Sequence, residues 1–115
     1  MRRDTVGSLT DVLQAGTKIR EFVAQSATTG SNDDLYAAAV ERQFVIIGEA
    51  LARIRNKDPE TFSRIGDGPK IIAFRNVLVH AYESVNQRLL FANSGEPLDR
   101  LMSDIDSILS LEERT

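Results

Sequence analysis

Apolar residues recur at helical spacing along almost the whole chain. Val6, Leu9, Leu13, Gly16, Ile19 and Val23 fall three or four residues apart, and Val12 and Phe22 widen the stripe. Residues 5–26 therefore read as one amphipathic helix, with Asp4 or Thr5 as its cap. The polar stretch Ser26-Ala27-Thr28-Thr29-Gly30-Ser31-Asn32 has no periodicity and predicts a loop, after which Ser31, Asn32 or Asp33 supplies the next N-cap. In the second segment Leu35, Ala39, Ile46, Ala50 and Ile54 make one stripe and Val40, Phe44, Ile47 and Leu51 a neighbouring one. Together they cover more than the arc of roughly 100° expected of a surface helix, so this helix should contact two neighbours.

Asn56-Lys57-Asp58-Pro59-Glu60 interrupts the pattern. Asp58 is placed to cap a short turn that opens with Pro59 and reaches Ile65, and Gly66-Asp67-Gly68-Pro69 leads into a third long helix. The run Ile71-Ile72-Ala73-Phe74, followed by Val77-Leu78-Val79, is apolar on most sides, which predicts a central, buried helix. Helical pattern continues from Val85 to Phe91 and breaks at Asn93-Ser94-Gly95-Glu96. Pro97 then opens a final helix with Leu98, Leu101, Met102, Ile105, Ile108 and Leu109 on one face. The expected fold is an all-α bundle of four principal helices plus short helical pieces, in one domain spanning residues 1–115.

Composition narrows the function. No cysteine is present, so neither a disulfide framework nor a thiolate metal site is available, and one histidine cannot anchor a typical zinc cluster. A reducing, cytoplasmic setting fits, with no metal and no cofactor expected. The basic start Met1-Arg2-Arg3 leads into an amphipathic segment rather than the apolar core of a signal peptide, and no run approaches the ~20 apolar residues of a membrane span. A net charge of −3 argues against broad, charge-driven binding to nucleic acid, so no DNA partner is expected and any RNA contact must be local.

The candidate chemistry lies in Arg75-Asn76-Val77-Leu78-Val79-His80-Ala81-Tyr82, which holds the single histidine. On a straight helix Asn76 and His80 share a face, whereas Arg75 and His80 point about 140° apart. Two routes bring them to one phosphate. The helix bends or ends near the motif, or two copies pack so that Arg75 of one serves His80 of the other; the broad apolar surface of the preceding helix favours a homodimer with a composite cleft. An imidazole, with an ordinary pKa of ~6.5, can take a proton from a ribose 2′-hydroxyl or give one to the leaving 5′-oxygen. A guanidinium suits the charge that develops on phosphorus, Asn76 can orient either partner, and Tyr82 adds a hydroxyl and a stacking surface. The same spacing also suits a histidine that merely complements the end of a helix dipole, and Tyr82 also suits a core or interface aromatic.

Arg75-Asn76-x-Leu78-Val79-His80-x-Tyr82 resembles the Arg-x-x-x-x-His-x-Tyr signature of the HepT-like branch of the HEPN superfamily. Ile46-Ile47-Gly48-Glu49-Ala50, about 25 residues upstream, resembles a segment that family carries on its second helix. The similarity extends over nearly the whole chain. It implies an all-α homodimer acting as a metal-independent endoribonuclease toxin of a type VII toxin–antitoxin pair, with a minimal nucleotidyltransferase antitoxin that transfers AMP to the motif tyrosine. By that resemblance Arg75 and His80 are catalytic, Asn76 is supporting, and Tyr82 is the modification target. Ala81 stands where the family commonly has Gly, and Gly66-Asp67-Gly68-Pro69 where an aromatic often precedes the motif helix. Glu49 has no role that chemistry assigns. Arg53, Arg55, Lys57, Arg64 and Lys70 surround the loop before the motif helix, where they form either an RNA-tracking cluster or a solvated face. An alternative function from the same resemblance is a non-catalytic helical partner, or substrate-binding subunit, of a nucleotidyltransferase. A plain nucleotide-binding bundle is a third.

Overall fold

The computed structural model describes residues 1–29, 33–80 and 87–114. Among them every regular element is an α-helix: α1 (Arg3–Thr29), α2 (Asp33–Lys57), α3 (Pro59–Phe62), α4 (Gly68–His80), α5 (Gln87–Asn93) and α6 (Glu96–Arg114). Four principal helices and two short ones are what the periodicity predicts. Helix α1 runs past the expected loop start at Ser26 and reaches Thr29, while Ser31 and Asn32 lie outside the described residues. Asp33 is the first helical residue of α2 rather than a residue before it.

The core is built from Leu9, Val12 and Ile19 of α1, Val40, Phe44, Ile47 and Leu51 of α2, and Leu98, Leu101 and Ile105 of α6, all fully buried. Each such side chain contributes about 1.5–3 kcal/mol on leaving water. The doubled apolar stripe of α2 has the expected consequence, because α2 packs against α1 on one side and α4 on the other and also meets α3 and α5.

Helix α4 departs from the expectation of a buried, central helix. It packs chiefly on α2; Val77, on its far side, is 54% exposed, and Val79, one residue from its C-terminal end, is 49% exposed. The molecule spans only 19 Å in its thinnest direction, room for about two helical layers at 10–12 Å each. Among the described residues only α2 packs extensively on α4, which leaves the far side of α4 open.

The turn between α2 and α4 was legible in detail. Asp58 caps α3, accepting a hydrogen bond from the Thr61 backbone N–H at 3.2 Å and from the Thr61 hydroxyl at 2.8 Å, and Pro59 occupies the first turn. Thr5 does not cap α1, however. It is buried, and its hydroxyl donates to Asp58 Oδ2 at 3.1 Å, tying the first turn of α1 to the start of α3. These donors stabilise the ionised carboxylate, foremost the Thr61 hydroxyl and then the Thr61 N–H, and hold Asp58 below the usual carboxylate range.

Candidate active site

Arg75, Asn76 and His80 all lie on α4, so the placement of that helix decides the geometry of the site. Its start is anchored by α6. The Gly66 N–H donates to Asp104 Oδ2 at 3.1 Å, and Arg100 Nε donates to Asp67 Oδ2 at 2.9 Å. Gly68 sits under the Phe62 ring, where an added Cβ would come within 2.8 Å of Phe62 Cε1. Beyond it, Ile71, Ile72, Phe74 and Leu78 bury the inner face of α4. Phe74 meets Phe44 of α2 edge to face, with ring centroids 5.2 Å apart and planes at 80°, a geometry the ring quadrupoles favour.

The outer face of α4 is a stripe of Ala73, Asn76, Val77 and His80, at the three- and four-residue spacing of one helix face, and all four are exposed. His80 ends the described helix in the open. Arg75 lies off this stripe, half-buried, with its stem laid over Gly48 of α2: a Cβ at position 48 would fall 2.3 Å from Arg75 Cβ and 2.4 Å from Cγ. Its Nε is buried and meets no acceptor among the described residues. At the far end of the same side chain, Nη1 donates to Asn76 Oδ1 at 2.6 Å.

That contact connects two faces that helical geometry separates. Arg75 projects toward α2, Asn76 shares the outer stripe with His80, and the Arg75–Asn76 hydrogen bond draws the guanidinium toward that stripe. The structure brings the Arg75 and Asn76 side chains together; it shows no side-chain hydrogen bond from His80 to either. Helix α4 is unbroken from Gly68 to His80, so no break between Arg75 and His80 turns them toward each other. Tyr82 lies outside the described residues.

The basic residues before α4 do not form a single track. Arg53 faces α1, donating from Nε to Ser8 Oγ at 3.3 Å and from Nη2 to Asp11 Oδ2 at 3.1 Å, and Lys57 lies 3.8 Å from Asp4. Arg55, Arg64 and Lys70 are exposed. Glu49, next to Gly48, is exposed as well. A cleft of about 500 Å³ between the first turns of α1 and the last turns of α2 is lined by residues such as Arg3, Ser8 and Arg53, and another of about 580 Å³ runs along α6 beside Arg20. Neither includes Arg75 or His80; His80 stands on an open helix face and Arg75 lies between α4 and α2. Among the described residues no group of three His, Cys, Asp or Glu side chains is placed to hold a metal ion, and no helix is long and apolar enough to cross a membrane.

Gly48 and Thr5 owe their roles to contacts that the sequence pattern does not show. Gly48 stood in a motif but carried no assigned role; the signal was a residue without a side chain in the middle of an otherwise bulky helix. Thr5 has the local pattern of a cap, and its partner, Asp58, is remote in sequence.

Comparison with known families adds one match: the family model described as ribonuclease HepT-like aligns with residues 12–108, a span that contains Gly48, Arg75, Asn76 and His80. No curated protein and no solved structure matches the chain.

Proposed function

We propose, from the premise that the chain belongs to the ribonuclease HepT-like family, that it is a metal-independent endoribonuclease whose reaction centre is completed by a second copy of itself. The observation that carries this reading is the outer stripe of α4, on which exposed apolar Ala73 and Val77 alternate with Asn76 and His80. An apolar stripe left open to water favours association, and a two-fold contact through it places one copy's guanidinium by the other's imidazole.

In the reaction, the His80 imidazole takes the proton of a ribose 2′-hydroxyl as O2′ bonds to phosphorus. The P–O5′ bond breaks and the departing 5′-oxygen takes a proton from solvent water, giving a 2′,3′-cyclic phosphate and a 5′-hydroxyl, while the imidazolium returns its proton to solvent. Arg75 stabilises the negative charge on the phosphoryl oxygens, with Asn76 holding the guanidinium in place. The working role is that of the toxin in a type VII toxin–antitoxin pair, acting in the cytoplasm. A minimal nucleotidyltransferase antitoxin restrains it by transferring AMP to Tyr82. Tyr82 follows His80 by two residues, so a phosphate added there sets negative charge beside the site and repels the RNA backbone.

The test is RNA cleavage by purified, unmodified protein in EDTA. Cleavage that leaves cyclic phosphate ends and disappears in His80→Ala supports the proposal; equal cleavage by His80→Ala overturns it. Intact RNA with stable co-purification of a nucleotidyltransferase would instead identify a non-catalytic partner subunit.

A further inference from the structure

We infer that Gly48 of α2 is a positioning residue for the reaction centre: by lacking a side chain it seats the Arg75 stem and so sets where the guanidinium is delivered. The inference rests on the ribonuclease reading for its effect on rate, but not for its effect on Arg75 itself.

The argument starts from which atoms conflict. A Cβ at position 48 would lie 2.3 Å from Arg75 Cβ, 2.4 Å from Cγ and 3.3 Å from Cδ, and real carbon atoms do not approach to the first two distances. Arg75 Cβ is bonded directly to the backbone of α4, so no change of rotamer removes it. Any side chain at position 48 must therefore push α4 away from α2 or turn it. The contrast is Gly16 of α1, where the nearest atom to an added Cβ is the Met102 sulfur at 2.7 Å, near the end of a flexible side chain that can swing aside.

Arg75 is thus held at both ends. Gly48 fixes its root, Asn76 Oδ1 takes Nη1 at 2.6 Å, and the Nε between them is buried. A long, flexible side chain becomes a pre-aimed cation, which is what stabilising a developing phosphoryl charge demands. Helix geometry explains why glycine is needed here and not one residue later. Position 49 points about 100° away from 48, and Glu49 is exposed where Gly48 is buried.

The experiment compares Gly48→Ala with Gly16→Ala, using steady-state cleavage of an RNA oligonucleotide, thermal melting, and the Nε–H resonance of Arg75, identified as the signal missing from Arg75→Lys. The expected result is a fall of about 10²-fold in kcat for Gly48→Ala, with little change in KM, as a misplacement of about 1 Å commonly produces. The Arg75 signal shifts with it. Gly16→Ala alters melting but leaves both kcat and that signal unchanged. A folded Gly48→Ala protein with wild-type kcat and an unmoved Arg75 signal overturns the inference. Should Gly48→Ala fail to fold, the wild-type protein still decides: a seated Arg75 Nε–H exchanges with solvent more slowly than those of exposed arginines such as Arg55, and equal exchange rates overturn the inference. Absence of cleavage by the wild type, with the Arg75 signal still dependent on Gly48, would sink the ribonuclease reading and leave the seating intact.

Discussion

The contact between Phe44 and Phe74 should be the strongest single determinant of how α4 sits on α2, and a double-mutant cycle measures it. Phe44 is fully buried and Phe74 nearly so, with their rings edge to face at 5.2 Å. Changing either to leucine keeps most of the apolar volume but removes the ring pair and leaves a partly filled space. Each single change should cost about 1–3 kcal/mol, of which roughly 0.5–1.5 kcal/mol is the aromatic interaction itself. That last part is lost only once, so the double variant should be less destabilised than the sum of the singles by about 0.5–1.5 kcal/mol. With a domain stability of about 5–15 kcal/mol, both single variants remain folded enough to measure, and the double variant does so wherever that stability exceeds its largest expected loss of about 5.5 kcal/mol. Urea unfolding followed by circular dichroism supplies the values, at one fixed protein concentration because self-association adds to apparent stability. Additivity to within about 0.3 kcal/mol would refute the reasoning and place the α2–α4 register in the surrounding aliphatic contacts instead.

Three further outcomes follow from particular residues. Asp58→Ala should cost about 0.5–2 kcal/mol near neutral pH, through loss of the cap and of the tie to Thr5. Because the folded protein holds Asp58 below the usual carboxylate range, its contribution is complete above the unfolded value of about 3.9 and is lost as pH falls through the lower folded value. Urea melts at neutral and strongly acidic pH should show the wild type losing its advantage over Asp58→Ala, and an advantage independent of pH would contradict this. Gly7→Ala should stabilise α1 by about 0.5–1 kcal/mol, since an added methyl there meets nothing within 4 Å; an unchanged or lowered melting temperature counts against it. Val77→Asp should shift the protein to a monomer in sedimentation and abolish cleavage, whereas an intact dimer would move the association surface off α4.

The legible parts of this molecule are those governed by local sequence. The amphipathic period of α1 and α6, the doubled stripe of α2 and the Asp58-Pro59 start of α3 each state their structure within a few residues. The illegible parts depend on a partner distant in sequence. Thr5 looks like a helix cap until Asp58 is beside it, and the apolar run of α4 looks like a buried centre although no further helix among the described residues covers Val77. The site shows the same division. Arg75, Asn76 and His80 stand out as candidates from their pattern, and the 140° obstacle between Arg75 and His80 follows from about 100° per residue. What no spacing rule gives is that Arg75 lies across Gly48 and reaches back to Asn76, because that depends on how closely two helices approach.

The central claim is a reaction centre shared between two copies, and mixing two inactive proteins tests it most directly. Arg75→Ala and His80→Ala, each inactive alone, are combined in equal amounts under conditions where subunits exchange, and RNA cleavage is measured. With composite sites, half of the dimers are mixed and each carries one intact site, so activity should recover to about a quarter of wild type. No recovery, in a mixture shown to contain mixed dimers, would mean that Arg75 and His80 serve one site within a single chain.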